Sequence, residues 1–375
     1  MKFLFIVQGE GRGHLTQAIT LEDMLLRNGH EVVEVLVGKS SSRTLPGFFN
    51  RNIQAPVKRF ISPNFLPSAE NKRVNLRKSL FYNLLKLPEY IRSMRYINQR
   101  IKDTGAEVVI NFYELLTGLT YACFRPSVPY ICVGHQYLFL HREFKFPEKN
   151  PMELFMLRLF TRMTAFRASK KLALSFRELA KDTTEQIVVV PPLIRREVMI
   201  VQPEKGDYIH GYMVNSGFAD SVESFHAKYP EVPLKFFWDK AEAEEEMTID
   251  ETLSFHQLDD VKFLNGMAGC RAYASTAGFE SICEAMYLGK PVLMTPAHIE
   301  QDCNAYDAMI AGAGIISDSF DLKRLLRFAE TYHPNRNFVY WTRSSEHRII
   351  YELEQLFTSE PEITIMPTYS NYLPI

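Results

Sequence analysis

The chain reads as an α/β protein of two Rossmann-like domains facing one another across a cleft. Three observations predict this. Gly9-Glu10-Gly11-Arg12-Gly13-His14 follows directly on the apolar run Lys2-Phe3-Leu4-Phe5-Ile6-Val7. In the second half, Ser275-Thr276-Ala277-Gly278-Phe279-Glu280-Ser281 leads into Cys283-Glu284-Ala285-Met286 and Gly289-Lys290-Pro291, again with the pattern of strand, tight turn and helix start. With 375 residues, 46% of them apolar, the chain exceeds one ordinary core and fits two domains of about 150–200 residues.

Element by element, Phe3–Val7 is expected to be a buried first strand and Leu15–Arg27 the following helix, stopped by Asn28-Gly29. Glu31–Val37 is the next strand, completing a βαβ opening whose glycine loop sits where α/β sheets bind ligands. Region 40–75, rich in Ser, Pro and Asn, reads as irregular, and Leu76–Lys102 as a helix broken at Pro88. Short strands are expected at Glu107–Ile110, Pro129–Val133, Lys171–Leu174 and Gln186–Val190, with helical segments between them. Pro191-Pro192 closes the series, and the pattern restarts at Tyr208–Val214, followed by Asn215-Ser216-Gly217. A helix at Ser221–Lys228 and a strand at Leu234–Trp238 follow. Arg271–Ala274, Ala277–Leu288, Pro291–Met294 and Asn304–Ala311 then alternate strand and helix, and Ser345–Leu356 is a last helix before a tail. The expected division is a first domain over 1–196, a linker over 197–206, a second domain over 207–330, and a segment over 331–375 returning toward the first.

Composition narrows the classes. A net charge of -1 gives no general argument for nucleic acid. The interval Lys58–Lys102 is strongly basic, with only Glu70 and Glu89 against it. The stretch 241–260 carries Glu242, Glu244, Glu245, Glu246, Asp250, Glu251, Asp259 and Asp260. Cys123, Cys132, Cys270, Cys283 and Cys303 include no C-x-x-C pair and read as buried thiols. The opening apolar run is too short for a leader or a membrane span, so the expected location is the cytoplasm. Contact with the inner face of a membrane is an open possibility there. Phe60, Phe65, Leu66, Leu76, Leu80, Phe81, Tyr82, Leu84, Leu85 and Leu87 within the basic interval fit such contact, and equally fit a core helix.

In the first loop, Gly11 and Gly13 let the backbone turn closely around a ligand. The spacing is G-x-G-x-G, and Gly38-Lys39 follow the second strand where a dinucleotide site places an acidic residue, which disfavours a dehydrogenase. No G-K-[ST] completes a P-loop. His14 sits at a helix start, where a neutral imidazole can remove a proton from a hydroxyl; capping or packing is the alternative. Glu10 is a second candidate for that work. Arg12, His135 and Gln136 are acceptor-side candidates, and Thr16 and Gln17 read as ordinary first-turn residues.

In the second loop, Thr276, Ala277 and Gly278 precede a helix whose free N–H groups can hold a diphosphate, with Ser275 and Ser281 adding hydroxyls. Glu284 can accept hydrogen bonds from ribose, whereas Glu280 reads as a solvated helix residue. Glu300 and Gln301, after the next strand, can grip sugar hydroxyls, and Asn304 can support the loop. Asp259-Asp260 reads as a turn or helix cap, and no D-x-D pair offers a metal site.

Together these motifs resemble a glycosyltransferase of the GT-B type. They are particularly similar to the group containing the bacterial transferase that completes the lipid-linked peptidoglycan precursor. Plant monogalactosyldiacylglycerol synthases and UDP-dependent glucosyl- and glucuronosyltransferases belong to the same group. The matching residues are Gly11-Arg12-Gly13-His14, Ala277-Gly278-Phe279-Glu280-Ser281 through Glu284-Ala285, Gly289-Lys290-Pro291, Pro296, and Glu300 through Ala305. Two departures stand out: Tyr273-Ala274-Ser275-Thr276 replaces a histidine before the second loop, and no proline follows His14.

The resemblance implies direct displacement, with inversion, of a sugar from a nucleoside diphosphate, UDP by this likeness. No metal and no cofactor beyond the nucleotide sugar is implied. His14 would be the acceptor-side base. Gly11, Gly13, Ser275, Thr276, Ala277, Gly278, Ser281, Glu284, Glu300 and Gln301 would surround the donor. The acceptor is a sugar, lipid or small molecule, with Phe139, Phe144, Phe146 and Phe155 offering an apolar groove. A nucleotide-sugar epimerase and a noncatalytic nucleotide-sugar-binding protein remain the alternatives.

Overall fold

A computed structural model describes residues 1–40, 45–63, 83, 85–213, 218–238 and 245–356. Phe65, Leu66, Leu76, Leu80, Phe81, Tyr82, Leu84, the loop Asn215-Ser216-Gly217, Glu242, Glu244 and the tail beyond 356 lie outside the described residues.

The first sheet contains β1 (Lys2–Gln8), β2 (Glu31–Lys39), β3 (Val57–Ile61), β4 (Val108–Phe112), β5 (Tyr130–Gly134), β6 (Lys170–Leu174) and β7 (Ile187–Val190), in the order 3-2-1-4-5-6-7. Every pairing is parallel. Phe3 through Val7 are fully buried in the centre of this sheet, which is why β1 is an unbroken apolar run: helices cover both faces of a parallel sheet. The helices are α1 (Arg12–Arg27), α2 (Gly47–Asn52), α3 (Leu87–Asp103), α4 (Leu115–Phe124), α5 (Pro151–Thr164) and the short α6 (Arg196–Ile200), which opens the expected linker.

The second sheet repeats the plan. It comprises β8 (Ile209–Met213), β9 (Leu234–Trp238), β10 (Glu246–Thr248), β11 (Leu253–Gln257), β12 (Ala272–Ser275), β13 (Val292–Met294) and β14 (Gly314–Ile316), in the order 10-11-9-8-12-13-14. Only β10 runs antiparallel, as a partner of β11. Its helices are α7 (Ala219–His226), α8 (Asp260–Gly269), α9 (Phe279–Tyr287), α10 (Ile299–Ile310) and α11 (Leu322–Thr331), and then come α12 (Arg336–Arg343) and α13 (Ser345–Glu354). In each sheet the order reverses at a central strand, beside β1 and β4 in one and β8 and β12 in the other. Such switch points are where open α/β sheets bind ligands.

The break expected at Pro88 is present: Asn83 and Leu85 are helical, Lys86 is a turn, and α3 opens at Leu87 with Pro88 in its first turn, where its missing N–H costs nothing. Two local expectations are corrected. Region 40–75 is not wholly irregular, since α2 and β3 lie within it. The final segment holds two helices, not one. Those helices cross back to the first domain, where Trp341 Nε1 donates to the Ser175 carbonyl at 2.9 Å and Lys170 pairs with Glu352 at 2.6 Å. One apolar cluster runs through both domains, joining Phe176, Val190 and Ile194 to Phe279, Cys283 and Phe338.

Trp341 is 8% exposed, so Trp341→Ala is expected to cost about 3–5 kcal/mol through lost burial and an unpaired carbonyl. A urea titration followed by circular dichroism checks this. A midpoint unchanged from the parent chain would show that the returning helices do not brace the first domain.

Candidate functional site

The carboxyl ends of both sheets open on one cleft of about 1800 Å³, lined from both domains. Several helices begin at it. α1, α9 and α10 have Gly11, Gly278 and His298 at their N-caps, and none of these caps accepts a hydrogen bond from its helix through its side chain. By contrast, Asp259, Asp321 and Asn335 cap α8, α11 and α12. Three helix starts thus present N–H donors and the positive ends of their dipoles to the same space, an environment suited to an anion.

The strands enter that space under strain. Tyr113, just past β4, and Ala277, between β12 and α9, hold φ values of 61° and 63°. A side chain in this left-handed region costs energy and persists only where its surroundings enforce it. Both lie at switch points, one in each domain.

His14 faces the cleft from the first turn of α1 and is 9% exposed. Its Nδ1 lies 3.4 Å from Gln17 Oε1, and Gln136 Nε2 lies 3.5 Å from its Nε2. The Tyr113 ring packs 5.6 Å away, centroid to centroid. Each glutamine is held in turn by a glutamate of the second domain. Gln17 Nε2 donates to Glu280 Oε1, and Gln136 Nε2 donates to Glu300 Oε1 at 2.8 Å. Burial lowers the His14 pKa, opposed in part by the nearby charge of Glu300, so the imidazole is neutral near pH 7. Burial pushes Glu280 up to about 7.

These contacts correct two expectations. Gln17 is not an ordinary first-turn residue, and Glu280 is half-buried at the cleft instead of on an outer helix face; each bonds the other across the cleft. Gly13 makes that approach possible, because a Cβ there would collide with the Glu280 carboxylate. Periodicity along one helix carries no sign of a partner from the other domain. Arg195 escaped sequence reading for the same reason. Its fork grips Glu284 through Nε to Oε1 at 2.7 Å and Nη2 to Oε2 at 3.0 Å. The doublet Arg195-Arg196 after Pro191-Pro192 was the available signal.

Other candidates divide by position. Gly278, Ser281, Glu284, Glu300 and Gln301 face the cleft, as do Gly11 and Arg12. Ser275, Thr276 and Ala277 are fully buried and form the underside of the second loop, so they shape it instead of facing the cavity. Asn304 supports that loop through Nδ2 to the Ala277 carbonyl at 3.4 Å. Arg12 spans the domains to Asp260 at 3.0 Å and lies over the Phe48 ring. Asp259 caps α8, as expected. Glu10 borders the cleft, but its carboxylate accepts from the Ser40 N–H at 2.6 Å, apart from the chain of bonds through His14.

His135 is corrected as an acceptor-side candidate. It is 1% exposed, stacks on Phe279 at 4.1 Å and bonds the Leu174 carbonyl at 2.8 Å, which places it in the seam between domains. Phe139, Phe144 and Phe146 pack on one another and Phe155 is exposed; none of the four lines the cleft. Its apolar wall is built instead from Tyr113, Met156, Leu159, Phe160 and Met163. Among the described residues, no group of three His, Cys, Asp or Glu is placed to hold a metal ion. No described helix is long and apolar enough to cross a membrane.

Comparison with known proteins places this geometry. The profile of glycosyl transferase family 1 matches residues 1–331. No curated protein sequence matches the chain. Among solved structures, the glycotransferase of kitacinnamycin is similar over 94% of this chain and 98% of its own, with 13% identity and a TM-score of 0.63. UGT89C1 of Arabidopsis thaliana, complexed with UDP-L-rhamnose, is 14% identical over 95% of this chain and 98% of its own, with a TM-score of 0.63. MurG of Acinetobacter baumannii is 16% identical over 94% and 99%, with a TM-score of 0.52. These likenesses show the fold, which is GT-B.

The raised Glu280 pKa has a consequence for stability. The folded chain keeps this proton between pH about 4.5 and 7, where the unfolded chain releases it. The stabilisation is therefore complete below about 4.5 and lost as pH rises through 7. Glu280→Gln removes the titration, so its melting temperature relative to the parent is expected to rise between pH 5 and pH 8, by about 2 °C or more. Parallel pH profiles for the two proteins would contradict the burial of this carboxyl.

Proposed function

Since the chain belongs to glycosyl transferase family 1, we propose that it moves a hexose-type sugar from a nucleoside diphosphate, UDP by preference, to an acceptor hydroxyl, with inversion and without a metal ion. The observation that carries this reading is the convergence on one cleft of the uncapped starts of α9 and α10, from the second domain, and of α1, which brings a neutral histidine to face them from the first.

The donor diphosphate lies against the first turn of α9, where Gly278 and Ser281 border the cleft. Glu284 receives the ribose hydroxyls, with Arg195 beside the phosphates. Glu300 and Gln301 meet the transferred sugar. The acceptor lies along the apolar wall of α5, which favours an acceptor with an apolar portion, and its hydroxyl points at His14. Its oxygen bonds to the anomeric carbon as the bond from that carbon to the phosphate oxygen breaks. The proton passes to His14 Nε2, and the nucleoside diphosphate leaves with the electron pair. N–H groups fixed in place stabilise the charge growing on the leaving oxygen without reorganising. Closure of the two domains keeps water from competing as acceptor.

Calorimetry with a panel of nucleoside diphosphates tests the donor side. UDP is expected to bind selectively, and Glu284→Ala to weaken it about tenfold or more through lost hydrogen bonds and the unpaired Arg195. His14→Ala is expected to leave UDP affinity within about twofold while lowering transfer roughly 10²–10⁴-fold. Unselective nucleotide binding would overturn the donor site. Sugar isomerisation without an acceptor would replace transfer with epimerisation.

A further inference from the structure

His14 is flanked by two amides and contacts no carboxylate directly, which raises the question of what decides which ring nitrogen holds its proton. A base must present a lone pair to the acceptor hydroxyl; the wrong tautomer presents an N–H there and can take no proton. The Gln17 amide can turn either end toward Nδ1. With its carbonyl inward, Nδ1 carries the hydrogen and Nε2 is free to accept. With its NH2 inward, the roles reverse.

An ionised carboxylate only accepts hydrogen bonds. Glu280, in the first turn of α9, therefore draws the NH2 end of Gln17 outward and leaves Oε1 to face His14 Nδ1. The opposite glutamine agrees with this polarity. Gln136 Nε2, drawn to Glu300, directs its other hydrogen toward His14 Nε2, the lone-pair side. We propose that Glu280, acting through Gln17, is a positioning residue that fixes the Nδ1–H tautomer of His14, so that the second domain orients the base carried by the first. This rests on the reading of His14 as the acceptor-side base. Glu280 and Gln17 belong to different domains, so the alignment exists only in the closed molecule. Gly13 is part of the device, because a methyl group at that position would displace the carboxylate. Glu300 is the charged group that acts through space on the His14 ring, and Tyr113 packs against it.

The test is the ring-nitrogen spectrum of the full chain labelled with [15N]histidine at pH 8, where Glu280 is ionised, with the His14 signals identified by their loss in His14→Gln. The parent is expected to show His14 as the Nδ1–H tautomer. Glu280→Gln keeps the shape but can donate as well as accept, so it is expected to yield a mixture of the two tautomers. Gly13→Ala is expected to do the same by another route. In transfer assays, kcat should fall in proportion to the Nε2–H population, with donor KM within about twofold. A parent His14 in the Nε2–H form, or a Glu280→Gln spectrum that superimposes on the parent's, overturns the proposal. The spectrum needs no substrate, so the two readings fail separately. A fixed tautomer in a protein that binds no UDP sinks the transferase reading alone. Normal transfer with an unchanged Glu280→Gln spectrum sinks the positioning role alone.

Discussion

Phe279, the first residue of α9, lies between the ring of His135 at 4.1 Å and that of Phe176 at 4.8 Å. This stack joins a loop of the first domain to the helix start of the second, and it lies within the apolar cluster common to both. Everything polar in the cleft depends on it. With Phe279 seated, the next residue of the helix is Glu280, which lands on Gln17, and one turn further Glu284 reaches Arg195. Apolar burial supplies non-directional cohesion; the hydrogen bonds around it set the register. Loss of the stack would leave α9 free to slide by more than the few tenths of an ångström that a hydrogen bond tolerates.

The charges in the cleft are arranged by domain. Glu280, Glu284 and Glu300 all belong to the second domain, and the first domain meets them with Gln17, Arg195 and Gln136. Only one of these partners is a cation. Two neutral amides separate His14 from the carboxylates, so the imidazole feels Glu300 through space while burial remains the larger influence on its proton. A carboxylate bonded directly to Nδ1 would raise the basicity of the ring and hold a proton on it more often at neutral pH. The arrangement present gives a weaker base, its balance moved toward the unprotonated form.

Much of this was legible in the sequence, for identifiable reasons. β1, β5 and β7 are apolar runs because both faces of a parallel sheet are covered, and the two glycine loops mark the turns that follow β1 and β12. β3 and α2 were hidden in a polar stretch, because each buries only part of its surface. Pro88 was legible because a residue that cannot continue one helix opens the next one well. At the site, His14, Glu284, Glu300 and Gln301 announce themselves through residue type and placement after a strand. Gln17, Glu280, Arg195 and Tyr113 do not. Their significance comes from partners in the other domain or from backbone strain, and neither leaves a periodic trace. His135 shows the converse: a titratable residue after a central strand, with every credential of a site residue, spends its ring on packing.

The bond from Trp341 to the Ser175 carbonyl spans 166 residues of sequence, and this bears on how the protein is made. A ribosome adding about 5–20 residues per second needs roughly 8–33 s to pass from one partner to the other. From the completion of β7 onward the first domain has its seven strands but not its brace, and Phe176 waits first for Phe279 and then for Phe338. The nascent first domain therefore exposes an apolar patch that only later parts of the chain cover. Its exposure to chaperones, or to another nascent copy, is set by the rate of translation and not by the strength of the finished fold.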